Sequence, residues 1–380
     1  MRSRSRRGFL SIVARLAAAA PLVSALPSRA AAAAAGVPRG MIVRNDMPEH
    51  WESSLAALDD AYLTPRERFF VRSHLGVPTP DPKAFRLEVA GLVERPLALS
   101  LADLRALPHT TRDATLECAG NGRARYGLPS SSGTQWELGA VGNARWYGVS
   151  MAEVLKRAGL KPEAQHVWLE CLDQAPVPGV PPFLRSIPLR VALDDALLAW
   201  NMNAAPLSPL HGAPLRVVVP GWYAMASAKW VTRLRVAAVP SDNHFMVRGY
   251  RYNYPGVDPA AAAPVEHMAV KSLVTWPLHD ANVDAGTLEA RGVAWCGRGV
   301  VEGVETSVDD GSTWSAATLI DAARPGAWRR WTQRVVLRPG ATTLRVRATD
   351  SNSEVQPVAA RANAAGYANN SIHSVTVHAS

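Results

Sequence analysis

One cysteine in this chain stands in a stretch suited to chemistry, Thr115-Leu-Glu-Cys-Ala-Gly-Asn-Gly-Arg123. Cys118 is a soft, thiolate-type metal ligand. Arg123, five residues on, is a permanent cation whose planar fork of donors suits an oxyanion. Gly120, Asn121 and Gly122 are residue types that let a backbone take positive φ and approach a bulky group closely. The stretch therefore reads as a metal thiolate facing an anion; a buried structural cysteine beside an ordinary turn is the other reading of the same residues. Cys118, Cys171 and Cys296 are too few and too scattered for a disulfide framework, although one pair stays open. No CxxCH or CxxC spacing marks a covalent haem or a cysteine-rich zinc site.

These residues need a frame. Residues 85–89 alternate apolar and polar and predict a strand. Two short helices are predicted from capping boxes, Ser100 with Asp103 before the run to Leu107, and Ser150 with Glu153 before residues 154–158. Residues 193–202 predict a further helix, and residues 215–219 a buried strand ended by Pro220-Gly221. Residues 259–264, alanines between two prolines, read as a linker. Beyond it residues 293–296, 304–308, 331–337 and 343–348 predict short strands at regular spacing. Asp309-Asp310-Gly311-Ser312 is a hairpin turn before Trp314. A mixed domain followed by an all-β sandwich of immunoglobulin type is the expected organisation.

The chain of 380 residues, 48% hydrophobic, is long enough for two or three domains and too apolar for disorder. Its N-terminus differs from the rest. Ser5-Arg6-Arg7-Gly8-Phe9-Leu10 precedes an apolar, alanine-rich run and then Pro27-Ser28-Arg29 with further alanines. The pattern is that of a twin-arginine export signal over residues 1–36. A basic membrane-surface helix is the alternative; the run is too short to span a bilayer. Those residues hold six arginines and no acid, so the formal charge of +9 leaves a modest +3 on the remainder. The high isoelectric point is thus no argument for nucleic-acid binding. The expected location is the periplasm, reached already folded, with no stable membrane insertion.

Separate blocks in one order, 70–74 (Phe-Val-Arg-Ser-His), 116–123, 142–146 (Gly-Asn-Ala-Arg-Trp), 211–216 (His-Gly-Ala-Pro-Leu-Arg), and 218–222 followed by Lys229-Trp230, resemble the sulfite oxidase family of molybdenum enzymes. The resemblance runs from about Phe69 to His378. It implies an α+β fold: a mixed α/β molybdopterin-binding catalytic domain, placed here at 37–262, and an immunoglobulin-like dimerisation domain at 263–380. It also implies Cys118 as the thiolate on molybdenum. The molybdopterin (Moco) would be held by His74, Asp173, His211, Arg216 and Lys229, with Phe70, Val71, Arg72, Ser73, Ser227 and Ala228 contributing backbone. Arg72 and Arg123 match the family's anion-binding arginines, and Tyr250 its active-site tyrosine. Taken alone, Lys229 reads as a solvated lysine, Asp173 as a loop residue and Tyr250 as packing in an aromatic loop. His244 and Arg248 are candidates for the neighbourhood.

One departure stands out. The animal and plant enzymes carry an arginine after their Val-Gln-Pro segment, where this chain has Ala365; Arg361 is a candidate replacement. The expected function is an exported sulfite dehydrogenase, taking sulfite or a related small sulfur oxyanion to sulfate by oxygen-atom transfer. Electrons would leave to an external c-type cytochrome, since no haem is expected in this chain. Two alternatives stay open: the molybdenum subunit of a sulfur- or thiosulfate-oxidising complex acting on a protein-bound sulfur species, and a non-enzymatic exported binding protein. A homodimer is implied by the resemblance alone.

Overall fold

In the computed structural model the described residues are 36–59, 61–128, 133–173 and 179–380. The export signal expected over residues 1–36 lies, except for Gly36, outside them.

Three sheets build the N-terminal part. His109–Glu117 pairs with Val141–Ser150 along its whole length, from His109 opposite Val149 to Glu117 opposite Val141. Leu197–Met202 lies on the far side of Val141–Ser150 and also pairs with Arg216–Val218. A second, mixed sheet is centred on Val231–Ala237, parallel to Leu87–Gly91 and antiparallel to His166–Cys171, with Leu184–Pro188 at its edge. A small third sheet, Met41–Asn45, His50–Ser53 and Val71–Arg72, brings His50 opposite Arg72.

The short helices show how local signals worked. At Leu101–Arg105 the capping box forms in both directions between Ser100 and Asp103. At Met151–Ala158 only the forward half forms: Ser150 accepts from the Glu153 amide, while the Glu153 carboxylate takes the Arg157 guanidinium. The helix expected over 193–202 is corrected. Helix Leu189–Asp194 stops short, and Leu197–Met202 is a strand buried on both faces between two partners. Burial on both faces removes the polar alternation that marks a strand, so the apolar run mimics a helix.

The C-terminal part is an immunoglobulin-like sandwich. Lys271–Trp276, Gly286–Trp295, Arg329–Leu337 and Thr318–Leu319 form one sheet. Ala281–Val283, His373–Ala379, Gly340–Asp350, Val301–Ser307 and Ser315–Ala316 form the other. Val274, Ala290 and Trp331 from the first face Leu344, Val346 and Val375 from the second in one core. Leu273, Val293, Trp295 and Trp328 instead join the core of the N-terminal part. The residues expected as a linker contain a short 3-10 turn, Pro259–Ala261. At the junction Lys271 pairs with Glu117 at 3.0 Å, both side chains 2% exposed. Glu117 also accepts from Trp295 Nε1 at 2.9 Å and Asn121 Nδ2 at 3.0 Å. Among the described residues no helix is long and apolar enough to cross a membrane.

Candidate active site

Strand His109–Glu117 ends one residue before Cys118, whose amide donates to the Ala140 carbonyl at 2.9 Å. The chain then turns: the Asn121 amide donates to the Cys118 carbonyl, and Asn121 Oδ1 accepts from the Ala140 amide. Of the three turn residues only Gly122 takes positive φ, at 86°. Gly120 serves by its size, because a Cβ there would fall 2.4 Å from the Arg123 guanidinium. The expectation of positive φ throughout 120–122 is corrected to that extent. All three cysteines are free and buried.

Cys118, 9% exposed, lines a cleft open to solvent. Phe70, Arg72, His74, Asp173, His211 and Arg216 line it too, as do Ser227, Ala228, Lys229 and Tyr250. Val71 and Ser73 are buried beside it, and the Ser73 hydroxyl accepts from Lys229 Nζ at 3.1 Å. Arg123 stands behind the wall of the cleft. Its Nε donates to the Ala365 carbonyl at 2.7 Å and its Nη1 to the Thr134 carbonyl at 2.5 Å. Arg361 is exposed, its guanidinium over the Tyr254 ring at 4.1 Å, and does not line the cleft. His244 and Arg248 are exposed; Phe245, between them, is the residue that reaches His74.

Among the described residues three cations, Arg72, Arg216 and Lys229, share this cleft with one carboxylate, Asp173. Arg216 bonds, among the described residues, only to carbonyls, of His211 at 3.0 Å, Ser227 at 2.8 Å and Val217 at 3.4 Å, and burial pushes it down to about 9. Burial likewise pushes Lys229 down and Asp173 up, and the attraction between them opposes both shifts. The histidines are neutral. Burial, with Arg216 and Lys229 nearby, holds His211 down to about 3. Burial, with Arg72 and Lys229 nearby, takes His74 well below its usual range. His50, lowered to about 4 chiefly by burial, donates through Nε2 to the Ser73 carbonyl at 2.9 Å, so its Nδ1 accepts from the Thr134 hydroxyl at 2.7 Å.

Tyr250 takes φ of 54°, the left-handed region that a side chain rarely adopts. Its hydroxyl lies 2.5 Å from His74 Nε2, and burial raises its pKa, keeping the phenol protonated. Its ring stacks on Tyr367 at 5.4 Å. His74 stacks on Phe183 at 4.1 Å. Sequence reasoning missed His50, Thr134, Phe183, Arg185 and Tyr367. Arg185, a charge amid the apolar stretch 183–188, was the one with a visible signal.

The donor set suits an anionic group with a polar ring edge. A buried guanidinium held by carbonyls alone, with Arg72 and Lys229 beside it and one carboxylate among the three cations, wants an anion, and neutral histidines can donate or accept at a heterocycle. Among the described residues no three His, Cys, Asp or Glu side chains converge as a metal cage, so a metal here would take Cys118 and draw its other ligands from the group it arrives with.

Residues 74–245 match the family described as oxidoreductase molybdopterin binding domain, and residues 262–380 the Mo-co oxidoreductase dimerisation domain. The sulfite oxidase of Gallus gallus is 39% identical over 338 residues, covering 84% of this chain and 73% of that protein. The mitochondrial sulfite oxidase of Homo sapiens is 36% identical over 359 residues, covering 89% of this chain and 66% of that protein. The crystal structure of the sulfane dehydrogenase SoxCD from Paracoccus pantotrophus superposes with a TM-score of 0.80 at 29% identity, over 94% of this chain and 93% of that one. The chain thus belongs to the sulfite oxidase family of molybdopterin-binding oxidoreductases.

Proposed function

We propose that this protein is a molybdenum-dependent sulfite dehydrogenase, converting sulfite and water to sulfate, two protons and two electrons. The observation that carries this reading is the cleft in which Cys118 meets three cations and a single carboxylate. Cys118 would hold the metal; Arg216 and Lys229 would take the phosphate of the pterin, and neutral His74 and His211, with Asp173, its ring edges. The backbone near Phe70, Val71, Ser73, Ser227 and Ala228 would complete the seat. When bound, the cofactor supplies two-electron oxygen-atom transfer chemistry.

The chain's own residues do the rest. Arg72, on the cleft wall, attracts the oxyanion and offsets its charge, and Arg123 adds positive potential from behind Tyr367. Tyr250, its hydroxyl on His74, orients the anion as a hydrogen-bond donor. Phe183 and Phe245 against His74 keep that side of the cleft apolar and dry.

Electrons leave to an external c-type cytochrome by a transient contact. The Arg6-Arg7 motif and its alanine run support twin-arginine export to the periplasm, and the sandwich supports a homodimer through the description of its family. The domain division is 37–262 and 263–380. A second reading, a subunit acting on protein-bound sulfur, is favoured by Ala365 and by the likeness to sulfane dehydrogenase.

The test is sulfite-dependent reduction of cytochrome c by purified holoenzyme and by its Cys118→Ser variant. Turnover in the first and none in a folded second is expected. Full activity in the variant refutes the role of Cys118. Turnover of thiosulfate or a persulfide peptide without sulfite turnover selects the second reading.

A further inference from the structure

Arg185 lies behind the cleft on strand Leu184–Pro188, opposite Leu169 and 3% exposed. Its Nη1 donates to the Phe245 carbonyl, and among the described residues its Nε has no hydrogen-bond partner. Burial pushes the guanidinium down to about 10, which leaves it a cation at neutral pH. A cation buried with so few partners is costly unless something else uses its charge.

The surroundings show what could use it. The guanidinium sits 5.1 Å from the centre of the Tyr250 ring; that ring stacks on Tyr367 at 5.4 Å with 19° between planes; and Arg123 lies over Tyr367 at 5.4 Å. Arg123, Tyr367, Tyr250 and Arg185 therefore form a chain of contacts, two tyrosines between two arginines. Ala365 touches the Arg123 end through its carbonyl and brings no charge.

We propose that Arg185 is a positioning residue for oxyanion recognition, holding the Tyr250 ring and strengthening its hydroxyl as a donor to a bound sulfur oxyanion. It thereby supplies positive charge in a site where position 365 supplies none. The inference rests on the proposed sulfur-oxyanion substrate. A cation beside the ring stabilises the negative charge that gathers on a phenolic oxygen when it donates a strong hydrogen bond. His74, Arg72, Cys118 and Tyr367 also face Tyr250, and Glu266 acts on Arg185. Arg72 and Arg185 both oppose the effect of burial on the tyrosine. The left-handed backbone at Tyr250 leaves its ring dependent on such neighbours for its place.

The experiment is a double-mutant cycle on the holoenzyme, read by calorimetric titration with sulfate and by steady-state sulfite oxidation. Arg185→Met is expected to weaken sulfate about tenfold to thirtyfold, the scale of a desolvated cation–π contact. It is expected to raise KM for sulfite more than it lowers kcat. In a Tyr250→Phe background the same change is expected to cost less than about threefold, because its effect passes through the hydroxyl. Arg185→Lys is expected to recover part of the loss, and Ala365→Arg to restore affinity to Arg185→Met. Should Arg185→Met not fold or load molybdenum, the cycle is run with Arg185→Lys, which keeps the charge and loses the planar stacking.

Equal losses in the two Tyr250 backgrounds overturn the proposal, as does a methionine variant no weaker than the lysine one. Coupled sulfate binding without sulfite turnover supports Arg185's role and refutes sulfite as substrate. Turnover with additive losses does the reverse.

Discussion

Replacing Lys271 by methionine removes the cation from a carboxylate that has nowhere else to go. Glu117 is 2% exposed and accepts three N–H groups, from Lys271, Asn121 and Trp295, at 3.0, 3.0 and 2.9 Å. Breaking a buried pair by deleting one partner costs about 3–5 kcal/mol, because the remaining charge is left uncompensated. Two of the three donors stay, so the low end, about 3 kcal/mol, applies. At roughly 2–3 °C per kcal/mol for a protein somewhat larger than common reference domains, the melting temperature should fall by about 6–9 °C. Differential scanning calorimetry of Lys271→Met measures it, with Glu117→Gln/Lys271→Met beside it. The double variant, which carries no buried charge, should regain at least half the loss. A fall under about 2 °C, or a double variant no better than the single, would refute the argument that the loss comes from a stranded charge.

Lys229→Met should lower the molybdenum and pterin content of purified protein at least tenfold, since it deletes one of three cations in the cleft; unchanged content by metal analysis would remove Lys229 from the cofactor seat. Acidification should destabilise the protein between pH 6.5 and about 4. Over that window the unfolded chain takes up protons that His50, lowered to about 4, and His211 and His373, each lowered to about 3, refuse while folded. More protons bind the unfolded state, so stability falls as pH falls. His373→Gln should flatten the dependence by about one proton, or about 1.4 kcal/mol per pH unit. Denaturant titrations from pH 7 to 5 check it, and an unchanged slope would count against a neutral buried His373.

The cysteine turn was readable because its chemistry is local: thiolate, small residues and arginine all fall within 118–123. The sandwich strands were readable for the same reason, through turn residues and alternation. Leu197–Met202 was not, because its burial depends on two partners distant in sequence. The position of Arg123 was only half readable. Its sequence neighbours put it near Cys118, but the carbonyls of Thr134 and Ala365, which place it behind the cleft, come from elsewhere in the chain. Arg185 and Tyr250 are separated by enough chain that their stacking follows only from the mixed sheet and the short helix and turn after Asn243. Arg185 showed in the sequence only as a charge in an apolar stretch, and nothing there tied it to Tyr250.

Residues 363–369 close over the cysteine turn. The Ala368 amide donates to the Ala119 carbonyl at 2.8 Å, Asn369 Nδ2 to the Gly122 carbonyl at 2.9 Å, and Ala365 receives Arg123. That loop lies far along the chain from the turn it encloses, in the C-terminal part. Without residues 363–369 Gly122 and Arg123 lack these partners, so the N-terminal part cannot by itself give the pocket its final shape. A fragment ending before residue 363 would present the thiol yet lack the enclosure.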